Sequence, residues 1–393
     1  MSGSARRGGL PGASTAWTRF LEVMSGDKTS HIAIPLFSVA LSMVAASLLL
    51  LALGENPLVA MAAFLRGSGF MVKPSYAGGQ SALTDFLSFL GILAPMLLAA
   101  LSVAAALRAG MFNIGVAGQM LAAGYVATIL AGYADMAPAL ARPLVVLLGL
   151  SVGATMGAAV GFLKYRFNIH EVVSTIMFNY ITSYVTGFLI NTHYSDAITR
   201  SSRVCSRAAR LTVTGIDVGG LRLTFPIGIL IALAAAAIMK FVLDRTTVGF
   251  ELKAVGLNRD AARYAGISVG RVTVFAMSVS GALAGLAGVT YYLGYYNNIM
   301  PKTLASLGFD AIAVALLGNL NPVGSIFSSI LVTIFQKGSV YMSSTLGAPQ
   351  EVASVITSVM LLFSACGACV RFHAARMLEK LAGRGGSDEG GGG

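Results

Sequence analysis

Apolar residues in this chain gather into long blocks, and ten of them approach the roughly 17–25 residues that a helix needs to cross ~30 Å of hydrocarbon. They are Ile32–Leu53, Leu83–Leu107, Met111–Gly132, Pro143–Phe162, Val172–Ile190, Phe225–Leu243, Thr273–Leu293, Leu304–Leu320, Val323–Met342 and Val352–Val370. The eighth is short. Pro57–Phe70 is also apolar, but Asn56, Arg66 and Lys73 interrupt or flank it, which predicts an amphipathic interfacial helix. The pattern predicts an all-α polytopic membrane protein of about ten transmembrane helices over residues 32–371, with flexible tails at 1–31 and 372–393.

Composition narrows the class. Of 393 residues, 56% are hydrophobic and 11% charged, against roughly 25% charged in soluble domains. Such a chain lacks the stock for a wetted surface. It is too apolar for disorder, and three cysteines make no disulfide scaffold. The net charge of +11 needs no nucleic acid to explain it, because inner loops of membrane proteins are rich in Lys and Arg. The first apolar block exceeds the ~7–15 residue core of a signal peptide and is read as a retained helix. With the N-terminus inside, 17 of the 27 Lys and Arg fall on the inner side. Arg200, Arg203, Arg207, Arg210 and Arg222 dissent, sharing the loop Asn191–Thr224 that this orientation places outside.

Gly149, Gly153, Gly157 and Gly161 recur every four residues, and Gly281 and Gly285 repeat the spacing, so those faces predict close helix packing. A bundle of this size implies a transporter, a channel or a membrane enzyme. Enzymatic chemistry is not evident. His170-Glu171 is half of an H-E-x-x-H pattern, and Cys366 and Cys369 sit inside an apolar block. The longest inner loop, residues 244–272, contains a two-turn helix with Asn258 as N-cap and Gly266 at its C-terminal end. A helix that short needs a docking surface, on its own bundle or on a partner.

At this loop the chain resembles a known family. Ala254-Val-Gly-Leu-Asn-Arg-Asp-Ala-Ala-Arg-Tyr-Ala-Gly-Ile267 is similar to the cytoplasmic coupling segment of ABC-importer permeases of the branched-chain amino acid, sugar and nucleoside superfamily. Ser280–Gly288, Phe112-Asn-Ile-Gly-Val-Ala-Gly-Gln119, His170–Tyr180 and Gly308–Gly318 match further motifs in family order, resembling the nucleoside and riboflavin permeases more than the sugar ones. The motif's usual Glu is Ala117 here. The resemblance implies a multi-pass permease subunit of an ATP-driven importer in the bacterial inner membrane, with both termini cytoplasmic. It implies a nucleoside as solute, purine nucleosides first and riboflavin as the alternative. It also implies a second permease, an external solute-binding (lipo)protein, and ATPase subunits gripping Gly256, Asn258, Ala261, Ala262, Tyr264, Gly266 and Ile267. The sequence has no G-x-x-x-x-G-K-[ST] loop, so ATP and Mg belong to a partner subunit and no cofactor is expected on this chain.

Polar groups inside a membrane cost about 2.5–3.5 kcal/mol for Asp or Arg at a helix centre, so each deserves a reason. Asn113, Gln119, Asn179 and Asp310 either line a solute path or make interhelical hydrogen bonds. Phe178, Tyr180 and Phe309 either stack on a flat heterocycle or pack. Arg200, Arg203, Arg207 and Arg210 either dock the binding protein's carboxylates or meet lipid headgroups. An ion-coupled secondary transporter is the alternative of another class; it would need mid-membrane carboxylates or histidines, and Asp310 is the convincing one.

Overall fold

The computed structural model describes residues 21–23, 30–52, 54–74, 81–218, 221–347 and scattered positions between 355 and 378. The expected span Val352–Val370 and the two tails fall almost wholly outside the described residues. In chain order the elements are α1 (Ser30–Ala52), α2 (Pro57–Gly67), α3 (Ser81–Arg108), α4 (Val116–Ala127), α5 (Pro138–Phe167) and α6 (Glu171–Leu189). A hairpin follows, β1 (Thr212–Val218) and β2 (Leu221–Pro226), then α7 (Gly228–Arg245), α8 (Thr247–Leu257), α9 (Arg259–Tyr264), α10 (Val269–Thr290), α11 (Leu307–Leu317) and α12 (Pro322–Leu346). α4, α6 and α10 each run on into a five-residue π-helical turn, at Thr128–Gly132, Ile190–Tyr194 and Tyr291–Tyr295.

Local sequence sets the boundaries. Pro57, Pro138 and Pro322 open their helices, where the missing N–H costs nothing. Asn56, Asn258 and Asn321 accept from the first-turn amides. Asn168 and Gly347 end α5 and α12 in the left-handed conformation. α3 is the axis of the bundle: Met96 to Leu101 are fully buried, and α7, α10, α11 and α12 pack around it.

Among the described residues five helices are long and apolar enough to cross a membrane, or six if the pair α1–α2, bent by 118°, counts as one. Two expected spans are shorter than their apolar blocks. Leu304–Leu320 holds only the 11-residue α11, which reaches ~16 Å, about half the hydrocarbon thickness. Met111–Gly132 becomes helical only at Val116. Pro57–Phe70 holds α2, which packs one face on α12. Ala60, Ala63, Phe64 and Gly67 of α2 are buried, Gly67 meets the backbone of Gly338 on α12, and Phe64 lies edge-on to Phe335 at 5.0 Å.

The glycine ladders face each other. A Cβ at Gly153 would overlap the carbonyl of Gly281, one at Gly157 that of Met277, and one at Gly285 that of Gly149. α5 and α10 therefore touch backbone to backbone, as small-xxx-small faces allow.

The basic loop 191–224 is not irregular. Val213 pairs with Phe225 and Asp217 with Arg222 in an antiparallel ladder, bulged between Thr214 and Ile216, with Gly215 at φ +90°. The segment before it crosses the helix ends by backbone hydrogen bonds: Ser202 N–H to Ile299, Cys205 to Asn297, Ser206 to Gly132 and Leu211 to Leu293. It is an ordered cap over the π-turns.

Candidate functional site

A cavity of about 660 Å³ opens between α2, α3, α11 and α12, within the roughly 300–1,000 Å³ range of small-molecule sites. Its floor is polar. Asp310, on the first turn of half-length α11, accepts from Gln336 Nε2 at 2.6 Å. Lys337 donates to Ser88 on α3. Lys73 pairs with Asp85 at 2.8 Å and stands 4.8 Å above the Tyr341 ring. Its aromatic side comes from the π-turn after α10, where Tyr296 lies 4.9 Å from Tyr291 and 4.8 Å from Tyr295, centroid to centroid. The arrangement suits a flat, uncharged polar molecule: π-faces for a ring, a carboxylate and amide for its donors and acceptors, and two Lys matched by two carboxylates. Broken or half-length helices recur at solute sites in transporters because they aim backbone ends and first-turn side chains at mid-membrane.

Of the residues singled out from sequence, Asp310 alone lines this cavity. Asn113, Gln119 and Asn179 are buried elsewhere and hydrogen-bonded there. Asn113 Nδ2 donates to Gln119 Oε1 at 2.9 Å and to Ser280 Oγ at 2.8 Å. Asn179 accepts from Gly118 N–H at 2.8 Å and donates to the Ile114 carbonyl at 3.0 Å. These amides hold the non-helical entry to α4 against α6 and α10. Phe178 packs with Met111, Val160 and Met277. Tyr180 and Phe309 are exposed, Tyr180 on an outer stripe of α6 with Met177, Tyr184 and Phe188. Lys337, Gln336, Lys73, Asp85 and the tyrosines were not anticipated. The signal available was Lys337, a charge well inside a 25-residue apolar helix, which needs a functional or pairing reason.

At the opposite end, α8 and α9 form a bent pair. Asn258 Oδ1 accepts from Asp260 and Ala261 N–H, both at 3.0 Å, and Gly266 takes φ +82°. Ala262 is buried, while Leu257 is 88% and Tyr264 95% exposed. Gly256 abuts the Arg108 carbonyl, and Arg259 donates to the Gly110 carbonyl at 3.2 Å. The pair is thus docked on its own bundle through Gly256, Ala262 and Arg259, with Phe250, Leu257 and Tyr264 left outward as a ridge at seven-residue spacing. Ala261, Gly266 and Ile267 complete the turn, Ile267 N–H donating to the Ala262 carbonyl.

On the cap, Arg200, Arg203 and Arg207 are exposed. Arg210 is half-buried and donates through Nε and Nη2 to the Cys205 carbonyl at 3.3 Å. Burial pushes the Cys205 thiol up, against the opposing pull of Arg210. Among the described residues no three His, Cys, Asp or Glu side chains converge as a metal site.

A polytopic helical bundle with a polar internal cavity and a docked helix pair at one end is the class of membrane transport proteins. The chain belongs to the family described as branched-chain amino acid transport system / permease component, whose model matches residues 86–365. It is similar to the nucleoside ABC transporter permease protein NupB of Lactococcus lactis subsp. cremoris (strain MG1363), 34% identical over 90% of this chain and 95% of that protein. It is 33% identical to the guanosine ABC transporter permease protein NupP of Bacillus subtilis (strain 168), over 90% of this chain and 98% of that one. A more distant likeness, 26% over 72% of this chain and 71% of the other, is to the protein named "Probable riboflavin import permease protein RfuC" of Treponema pallidum (strain Nichols).

Proposed function

We propose that this chain is the permease subunit of an ATP-driven ABC importer of nucleosides, and that the cavity around Asp310, Gln336 and Tyr291, Tyr295 and Tyr296 receives the solute. The observation that carries the solute site is the Asp310–Gln336 pair in one cavity with Tyr291, Tyr295 and Tyr296, whose rings meet tilted and edge-on. A purine base can lie on a tyrosine face while its edge and the ribose hydroxyls exchange hydrogen bonds with that pair. Nucleosides are favoured over riboflavin by the two relatives that align over 90% of the chain. Their names also favour ATP over an ion gradient as the driving force.

In this reading the α8–α9 end faces the cytoplasm of the bacterial inner membrane, both termini share that side, and an ATPase subunit that binds ATP and Mg grips the Leu257–Tyr264 ridge. A second permease completes the pair, lipid surrounds it, and an external solute-binding lipoprotein meets Arg200, Arg203 and Arg207. Arg210 serves the cap itself. ATP binding then switches the bundle between discrete states.

The test is uptake by proteoliposomes holding the full chain with the subunits that copurify with it. Accumulation of tritiated guanosine that requires ATP hydrolysis, and is outcompeted by inosine but not by riboflavin, is the expected result. Uptake driven by an ion gradient without hydrolysis, or competed by riboflavin alone, would overturn it.

A further inference from the structure

We infer that the groove between the cap ends of α5 and α7 holds a phospholipid of net negative charge, its acyl chain in the groove and its phosphate on Arg142. The groove has a volume of about 390 Å³, and Arg142 is its one polar side chain. Val146, Leu147 and Leu150 form one wall, and Ile227 and Ile231, at the start of α7, the other. Positions 146, 147 and 150 share a face of α5, and only a third of that helix's apolar stretch is buried inside the bundle. Leu147 is 62% exposed. From Arg142 to Leu150 the helix rises about 12 Å, which fits inside one leaflet of a bilayer with ~30 Å of hydrocarbon.

The position of Arg142 sets it at headgroup level. Between Arg142 and Lys164 α5 carries no charged residue, and the rise between the two is about 33 Å, close to the full hydrocarbon thickness. The two cations therefore bracket the apolar core of the membrane from opposite sides.

Arg142 is also only partly satisfied. Nε donates to the Arg210 carbonyl at 3.2 Å and Nη2 to the Thr212 carbonyl at 3.3 Å. That uses two of the five N–H groups of a guanidinium. The acceptors are neutral carbonyls, and among the described residues no carboxylate pairs with Arg142. A planar cation with donors to spare suits a phosphate, which it can hold through two parallel bonds. A zwitterionic headgroup brings its own ammonium to that phosphate, whereas an anionic one leaves the charge for Arg142. A soluble phosphate would find one side chain above an apolar groove and nothing more; a lipid adds the burial of its chain. Because the same guanidinium holds the carbonyls at the start of β1, the bound headgroup sits where the cap joins the bundle.

Brominated lipids test the site, because bromine quenches only a tryptophan it touches. In the full chain, with its single tryptophan replaced as Trp17→Phe, Leu147→Trp reports from the groove. Leu233→Trp reports from an exposed position of α7 that does not line it. In vesicles mixing phosphatidylglycerol and phosphatidylcholine, quenching by each brominated lipid in turn gives their relative binding. Phosphatidylglycerol should be preferred about fivefold at Leu147→Trp, the weight of one basic residue at a lipid surface, and about equally with phosphatidylcholine at Leu233→Trp. Adding Arg142→Gln should remove the preference, and Arg142→Lys should restore part of it. Should Arg142→Gln fold poorly, Val146→Phe, which fills the groove and leaves the bonds of Arg142 to the cap in place, should remove the preference instead. No preference at Leu147→Trp, or the same preference at both reporters, overturns the site. A Leu147→Trp that neither lipid quenches is covered by protein, and loss of the preference on adding inorganic phosphate assigns Arg142 to a soluble anion; each overturns it too.

Discussion

The α5–α10 seam and the α11–α12 seam are both helix contacts closed by glycine, yet they differ in extent and in what completes them. Along α5–α10 the ladders Gly149–Gly161 and Gly281–Gly285 meet over several turns. Between α11 and α12 the glycine contact is at one end, Gly318 against Gly324, and beyond it the helices are joined by side chains, Ser328 donating to the Val314 carbonyl and Gln336 to Asp310. Extended backbone contact gives a fixed pair that has one good arrangement. The α11–α12 seam instead adds side-chain hydrogen bonds to one backbone contact. The lesson is that spacing sets what glycine does: a four-residue ladder seals a whole seam backbone to backbone, while an isolated pair closes one end and leaves the rest to side chains.

The comparison breaks most visibly at Gly153. Gly153→Val drives a side chain into the Gly281 carbonyl and should cost at least the ~1–3 kcal/mol of an overpacked core. The expected result is loss of the monodisperse peak in detergent chromatography; a well-folded Gly153→Val would show the seam to be loose. Next in size is the ridge. Tyr264→Arg, at a fully outward side chain, should leave thermal stability unchanged while weakening the ATPase grip by ~2 kcal/mol, about thirtyfold. This is measured as the ATPase subunit retained on purification, and full retention would remove Tyr264 from the contact. Gly256→Asp is a poorer probe, since any side chain there strikes the Arg108 backbone. Smallest is the cap. Reversing Arg200, Arg203 and Arg207 to Glu should slow binding-protein association a few-fold and abolish its salt dependence, as rim charges do. An unchanged rate at low salt would assign these arginines to lipid.

Much of the bundle could be read from the chain because membrane helices carry their signal in run length. The Asn258 cap and the Gly266 terminus were equally plain, being local chemistry. The hairpin was missed because its alternation, Thr212 to Val218, lay inside a stretch dominated by arginines. α11 looked like a span because apolar residues on both sides of an 11-residue helix extend the block without extending the helix. The amides Asn113 and Asn179 were visible, but an amide that locks a backbone and one that meets a solute have the same composition. Only the partners Gly118, Ile114 and Ser280, distant in sequence, decide between them. The cavity unites residues from positions 67 to 358, a convergence no local window contains.

The central claim, that the chamber beside α11 holds the cargo, is met head-on by Asp310→Asn in the reconstituted transporter. The account gives guanosine uptake down about tenfold, the worth of one charge-assisted hydrogen bond, with ATP hydrolysis and thermal stability retained. Uptake at the parent's rate with the same affinity would contradict it.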